Sequence, residues 1–67
     1  MLELDLMLVP FVEQEFPRLP ESDQAIYWRL MESEDTELFA WLLNKDQPGD
    51  PELARMVNQI IEFAKPS

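Results

Sequence analysis

The amino-acid sequence predicts an all-α fold, a small bundle of about four short helices in a single domain spanning residues 1–67. Two observations support this prediction. Apolar side chains recur at three- and four-residue spacing near both ends of the chain, and prolines next to acidic residues mark the starts of helices. The chain contains neither Cys nor His, so packing alone has to hold this small core together.

The first segment carries apolar residues at i, i+3, i+4, i+7 and i+8, which is the pattern of one helix face. These residues are Leu4, Met7, Leu8, Phe11 and Val12, and Phe16 extends the face. The leucines at positions 2, 4, 6 and 8 also alternate as in a half-buried strand. Helix is favoured, because Leu, Glu and Met are good helix formers and no β-branched residue precedes Val9. Pro10 is expected to kink or interrupt this helix near its middle.

A second helix is predicted after the turn bracketed by Pro17 and Pro20. Glu21 and Asp23 place negative charge at its start, and it should run to about Glu34. Its inward-facing residues are expected to be Ile26, Tyr27, Leu30 and Met31, with Trp28 nearer an edge.

A short third helix is predicted from an N-cap at Asp35 to about Asn44. Its apolar residues leave little polar surface, so it should be buried on most sides. They are Leu38, Phe39, Trp41, Leu42 and Leu43. Core packing is favoured over partner binding for Trp41, whereas both roles stay open for Trp28.

The sharpest boundary follows a loop over residues 45–49, where Asp50 supplies an N-cap, Pro51 the first helical position and Glu52 an acid in the first turn. The last helix then carries one apolar stripe. It consists of Leu53, Met56, Val57, Ile60, Ile61 and Ala64. Glu52 and Arg55 are expected to pair on its outer face, and Pro66 should end it.

The residues offer little for catalysis or metal binding. Nucleophilic catalysis needs an activated side chain beside a base, yet the chain has no His or Cys, and its three serines fall at helix ends or the terminus. Paired carboxylates need a cleft that four short helices rarely enclose. The acids at 32–37, Asp46 and Asp50 lack the spacing of a calcium-binding loop. We therefore predict no catalytic residue and no metal site.

Charge and hydropathy restrict the partners. Fourteen acidic and five basic residues give a net charge of −9, which would repel a phosphate backbone, so nucleic-acid binding is not expected. The first residues carry acids where targeting peptides carry bases, so no targeting segment is expected. The longest apolar stretch, residues 6–12, is far shorter than the roughly 20 residues that cross a bilayer. The sequence thus favours a soluble protein-binding module.

Several blocks follow one another in a recognisable order from Met1 to about Ile61. They are Met-Leu-Glu-Leu-Asp at 1–5, Pro10-Phe11, Leu30 with Glu32, Asp35, Leu38-Phe39-Ala40-Trp41-Leu42, Asp50-Pro51-Glu52-Leu53 and Met56-Val57. Together these blocks resemble the SdhE family, the flavinylation or assembly factors of the succinate dehydrogenase flavoprotein subunit. The resemblance covers nearly the whole chain and rests on several blocks in order.

The resemblance implies both a fold and a function. Members of the family are small helical bundles that bind the flavoprotein subunit of succinate dehydrogenase, and in some bacteria that of fumarate reductase. They promote covalent attachment of FAD to a histidine of this client. The chain is therefore expected to be a cytoplasmic bacterial chaperone without enzymatic activity that holds no cofactor, since FAD is attached to the client.

The family motif, Arg-Gly-x-x-Glu, lies at the start of the second helix of a five-helix bundle. Met1, Leu2 and Glu3 match its last three positions, so the Arg, the Gly and the family's first helix have no counterpart here. The resemblance makes Met1, Leu2, Glu3 and Asp5 the candidate partner-binding residues. From the residues alone, Glu3 and Asp5 are simply favourable charges on the polar side of the first helix, opposite Leu4.

The missing first helix leads to two expectations. A face of the bundle should be exposed, and a second copy of the chain is one partner that could cover it. The client should also bind this chain more weakly than it binds a chain that begins earlier. The charge also keeps an alternative function open. An acidic regulatory binder of the antitoxin or nucleic-acid-mimic type would suit a basic partner equally well.

Overall fold

A computed structural model of the chain describes the backbone of residues 2–65 and the side chains of residues 4–65. Within this range the chain forms four α-helices and one turn of 3-10 helix, without a strand. The helices are α1 (Leu2–Gln14), α2 (Glu21–Met31), α3 (Asp35–Leu42) and α4 (Pro51–Ala64), with the 3-10 turn at Phe16–Arg18. The predicted all-α bundle is confirmed, and the first segment is a helix rather than a strand.

Helix α1 continues through Pro10, so the helix is not interrupted there, and the alternative expectation of a kink stays a prediction. The proline removes the hydrogen bond that residue 10 would donate to the carbonyl of Leu6. Leu6 is exposed, which lets water reach this part of the helix. Leu4 and Phe11, on either side of the proline, are both buried in the core and hold the two halves in one helix.

The ends of α2 and α3 differ from the predicted boundaries. Helix α2 stops at Met31, and Glu34 rather than Asp35 is the N-cap of α3. The backbone N–H of Glu34 donates to Oε1 of Glu37 at 3.3 Å, so a side chain from the first turn of α3 pairs with the backbone of the N-cap residue. Helix α3 ends at Leu42, before Asn44, whose φ of 61° lies in the left-handed region and cannot continue a helix.

Helix α4 is the element against which α1, α2 and α3 all pack. Met56 and Ile60 have no exposed surface, and Val57 is buried beside them. The other helices bury apolar side chains around this stripe. The buried residues are Leu4, Phe11, Ile26, Tyr27, Leu30, Leu38, Leu42, Met56, Val57 and Ile60. The inward faces predicted for α2 and α4 are confirmed in their central turns.

Some residues predicted to lie inside do not. Val12, Leu43 and Ala64 are exposed, while Phe39 and Trp41 are half-buried and pack against the core. Helix α3 is thus less buried than its composition predicted, because only two of its side chains, Leu38 and Leu42, are buried.

Two arginines join α2 to α4. Arg29 binds Asp50 at 2.6 Å and Glu52 at 2.9 Å, and Arg55 binds both carboxylate oxygens of Asp23, at 2.9 and 3.3 Å. The expected Glu52–Arg55 pair is therefore wrong. Each of these side chains finds a partner on the neighbouring helix, where the arginine fork can bind two oxygens.

The N-cap of α4 is confirmed, since Oδ1 of Asp50 accepts hydrogen bonds from the backbone N–H groups of Glu52 and Leu53 at 2.8 and 3.4 Å. These bonds, with the guanidinium of Arg29, hold the pKa of Asp50 below its ordinary value. The hydrogen bond from Arg55 likewise lowers the pKa of Asp23. Both carboxylates therefore favour the folded state when they are ionised.

The burial pattern predicts a contrast between Ile60 and Leu6. We expect Ile60→Val to lower the free energy of unfolding by about 0.5–1.5 kcal/mol, because it removes a fully buried methyl group. Leu6→Ala should change it by less than about 0.5 kcal/mol, because this side chain is mostly exposed. Urea unfolding followed by circular dichroism measures both, and equal losses in the two variants would contradict the packing described.

The lowered pKa of Asp23 predicts a pH-dependent effect of Asp23→Asn. A carboxyl whose pKa is lower in the folded than in the unfolded state stabilises the fold above its ordinary value of 3.8, and this contribution is lost as the pH falls through the folded-state pKa. The urea midpoint of Asp23→Asn should lie below that of the wild type near neutral pH. The difference should shrink as the pH falls below 3.8, and a constant difference would show that charge plays no part.

Candidate protein-docking site

Of the predicted partner-binding residues, Leu2, Glu3 and Asp5 belong to the first turns of α1. Met1 falls outside the described residues, as do the side chains of Leu2 and Glu3, whereas Asp5 is exposed. The expectation that Glu3 and Asp5 share one polar side of α1 depends on a side chain outside the described residues, so it stays a prediction.

An apolar strip is exposed on the side of α1 that faces away from the core. Leu6 is 70% exposed, Val9 50% and Val12 37%. They lie at three-residue spacing, with the carboxylates of Asp5 and Glu13 on the same side. We call these five residues the outer face of α1. The expectation of an exposed bundle face is consistent with this strip, which is apolar where a surface helix normally carries polar side chains.

The outer face adjoins a small depression of about 250 Å³ between α1 and α2. It is lined by Leu8, Val9, Val12, Glu13 and Tyr27. Burial raises the pKa of the Tyr27 phenol above its ordinary value, so this side chain stays neutral near pH 7. The depression therefore offers an almost entirely apolar surface with one carboxylate at its edge.

An aromatic group continues from Tyr27 to the surface. The ring of Tyr27 stacks on Phe11 and meets Phe16 and Trp28 edge to face, at centroid distances of 5.8, 5.2 and 5.5 Å. Trp28 is 59% exposed at the end of this group, which confirms its predicted place near an edge. An exposed Trp held by two other rings is a rigid contact residue of the kind found at the centre of protein interfaces.

A second concavity, the α1–α4 groove, lies on the other side of α1. Its volume is about 910 Å³, and one wall is formed by Phe11 of α1 and by Glu15, the residue that directly follows α1. The rest of its lining comes from α4: Pro51, Ala54, Arg55, Asn58, Gln59, Glu62 and Phe63. The two concavities thus flank the same helix.

The charge around these surfaces is negative. The sequence holds no Lys or Arg before Arg18. Arg29, Arg55 and Lys65 are all bound to carboxylates, the last to Glu62 at 3.1 Å. Both surfaces of α1 therefore combine apolar side chains with carboxylates that no basic residue of α1 offsets.

Residues 4–65 bring no three His, Cys, Asp or Glu side chains together in a way that could hold a metal ion. Within the described part of the chain, every helix is too short or too polar to traverse a bilayer. What the described surface does offer is an exposed apolar strip, an exposed Trp and a groove.

Comparison with known proteins identifies the family. The family model described as the flavinator of succinate dehydrogenase matches residues 1–64. This chain belongs to that family. The resemblance to the SdhE family is thereby confirmed, and no solved structure gives a significant match.

Relatives within the flavinator family match along almost the whole chain. The FAD assembly factor SdhE of Pseudomonas putida is 44% identical over 66 residues, which cover 98% of this chain and 79% of the relative. The protein of the same name from Shewanella oneidensis is 47% identical over 66 residues, 98% of this chain and 80% of the relative. That of Pseudomonas aeruginosa is 44% identical with the same coverage as the first.

Two features of this flavinator-family member were not predicted from the sequence. Leu6 and Val9 were not predicted as surface residues, although the run of apolar residues on every side of α1 was a visible signal. The α1–α4 groove had no such signal, because its walls come from positions more than 35 residues apart.

Trp28 and Trp41 should respond differently to a soluble quencher. In Trp41→Phe only the exposed Trp28 remains, and we expect red-shifted emission and efficient quenching by acrylamide. In Trp28→Phe the remaining Trp41 is half-buried against the core, so quenching should be weaker. Circular dichroism checks that both variants fold, and equal quenching constants would contradict the placement of Trp28.

Proposed function

We propose that this chain is an assembly factor that binds the flavoprotein subunit of succinate dehydrogenase and promotes covalent attachment of FAD to it. The family match over residues 1–64 carries this proposal, and the printed name of the relatives, FAD assembly factor, supports it. The same role toward the flavoprotein subunit of fumarate reductase, in the bacterial cytoplasm, is part of the proposal.

The proposed role is that of a chaperone and not of an enzyme. The sequence holds no His, so the histidine that receives FAD belongs to the client, and in this proposal the client also holds FAD. The chain acts by binding more tightly to the client conformation in which flavin and histidine are aligned. A preference of about 100-fold, or about 2.7 kcal/mol, raises such a conformation from about 1% to about half of the client.

The proposed docking surface comprises the four candidate residues Met1, Leu2, Glu3 and Asp5, together with the exposed apolar strip of α1. Leu6 and Val9 provide apolar area that loses contact with water on binding. Asp5 and Glu13 favour a client surface that carries basic groups beside an apolar patch. Nucleic acid is disfavoured as a partner because the same carboxylates would repel its phosphates.

Self-association through the same strip is the competing arrangement. A two-fold contact between two α1 helices would bring the carboxylates of Asp5 and Glu13 from both copies together, with no base on α1 to offset them. The client is therefore the better occupant. Light scattering of the purified chain at micromolar concentration should give the mass of a monomer, and a stable dimer would favour the competing arrangement.

The flavinylation role predicts the flavin content of the client in cells. Cells that lack this protein should yield client with little covalent flavin, measured by in-gel flavin fluorescence, and the wild-type chain should restore it. Glu3→Ala should restore it poorly, whereas Asp46→Ala, an equal loss of charge in an exposed loop, should restore it fully. Full covalent flavin in the absence of the protein would contradict the proposal.

A binding measurement separates docking from stability. Leu6→Ala, expected to fold normally, should weaken the complex with the purified flavoprotein subunit by about three- to tenfold in calorimetric titration. A pull-down that recovers a basic toxin in place of a flavoprotein would support the acidic regulatory binder instead.

A further inference from the structure

The α1–α4 groove follows one continuous face of α4. Its α4 residues lie at positions 51, 54, 55, 58, 59, 62 and 63, the three- and four-residue spacing of a single face over about three turns. At about 1.5 Å per residue this face is about 18 Å long. An extended chain advances about 3.3 Å per residue, so the groove matches a segment of about five residues.

Two aromatic rings form an apolar part of the groove. Phe11 of α1 and Phe63 of α4 meet edge to face, with ring centroids 5.7 Å apart. Phe11 is almost completely buried and Phe63 is half-buried, so the second ring is the one accessible to a partner. Ala54, also half-buried, leaves room beside them because its side chain is small. This part of the groove suits an apolar side chain.

The remaining walls of the groove are amides and carboxylates. Asn58 is exposed and Gln59 half-buried one position further on, and each amide can both donate and accept hydrogen bonds. An extended peptide presents unpaired backbone N–H and C=O groups that such amides can satisfy. A helix pairs its backbone groups internally and would leave these amides without partners. The chemistry of the walls therefore favours an extended segment.

The charge that the groove offers a partner is negative. Arg55 already binds both oxygens of Asp23, and Glu62 binds Lys65. Glu15 takes part in none of the ion pairs formed by residues 4–65. It is a half-buried carboxylate at the end of α1, where the carbonyl end of the helix adds partial negative charge. A cationic side chain beside Glu15 would complement both this carboxylate and the partial negative charge at the end of α1.

Glu15 is held in place by its backbone. Its N–H donates to the carbonyl of Phe11 at 2.8 Å, and its own carbonyl accepts from the N–H of Arg18 at 2.9 Å. These two bonds fix the backbone at the junction between α1 and the 3-10 turn, so the side chain of Glu15 extends from a defined Cα position. The backbone there needs little further ordering when a partner binds.

We infer that the α1–α4 groove binds an extended segment of the client flavoprotein, about five residues long, with a Lys or Arg next to Glu15 and an apolar side chain near Phe63. This inference rests on the proposed function and adds a second contact to it. Phe11 and Val9 are two positions apart in α1, hence about 200° apart around its axis. The client thus contacts α1 from both sides, at its outer face and at the groove.

Site-directed crosslinking tests the second contact, and the absence of cysteine from the sequence makes single-cysteine variants straightforward. We would attach a benzophenone maleimide to Asn58→Cys in the groove, Leu6→Cys on the outer face and Thr36→Cys on the exposed surface of α3. Each labelled 67-residue chain is mixed with the purified flavoprotein subunit and irradiated. Mass spectrometry then identifies the crosslinked client peptides.

We expect Asn58→Cys to crosslink one client segment that contains a Lys or Arg, distinct from the segment reached by Leu6→Cys, and Thr36→Cys to give neither. If a complex forms and Leu6→Cys crosslinks while Asn58→Cys does not, the groove inference is wrong and the proposed function stands. If no complex forms at all, the proposed function fails and the inference fails with it. Crosslinking of Asn58→Cys to a second copy of the chain would also overturn the inference.

A matched pair of charge variants tests the role of Glu15. Glu15→Gln keeps the shape of the side chain, and we expect it to weaken client binding about three- to tenfold at low salt, with a smaller effect at high salt. Asp46→Asn removes an equal charge in the loop before α4 and should leave the affinity unchanged. Equal affinities for both variants would rule out a cationic group beside Glu15.

Discussion

The whole structure depends on burying one stripe of α4. Met56, Val57 and Ile60 are covered by the three other helices, and the sequence holds no cysteine that could form a disulfide. A chain of 67 residues buries only a modest area, so the orientation of α4 has to be held firmly. The N-cap at Asp50 holds its first turn, and Arg29 and Arg55 join it to α2.

The same constraint explains why α1 presents binding surfaces. Only one side of α1 can face the core, and Leu4 and Phe11 occupy that side. The sequence of α1 is apolar on other sides as well, so Leu6, Val9 and Val12 remain in water. Such exposure costs free energy in the isolated chain, and binding a partner recovers it. A small bundle in which one helix exposes apolar side chains suits a protein that works by docking on a larger one.

The distribution of charge serves both stability and binding. Three of the five basic residues bind carboxylates of the chain itself, which leaves an excess of acids at the surface. These exposed ion pairs stabilise the fold only weakly, but they neutralise the bases that would otherwise repel a basic client. The long-range field of the remaining acids can then speed association with such a client.

Local sequence determined the helical fold, the family and most helix starts. The Asp50-Pro51 start of α4 was predictable because an N-cap needs only its own neighbours, and the family followed from blocks in order along the chain. Tertiary structure decided what depends on distant partners. It paired Arg55 with Asp23 rather than Glu52, carried α1 through Pro10, exposed Leu6 and formed the groove. Each of these outcomes depends on contacts between residues far apart in the chain, so it is decided by how the helices pack.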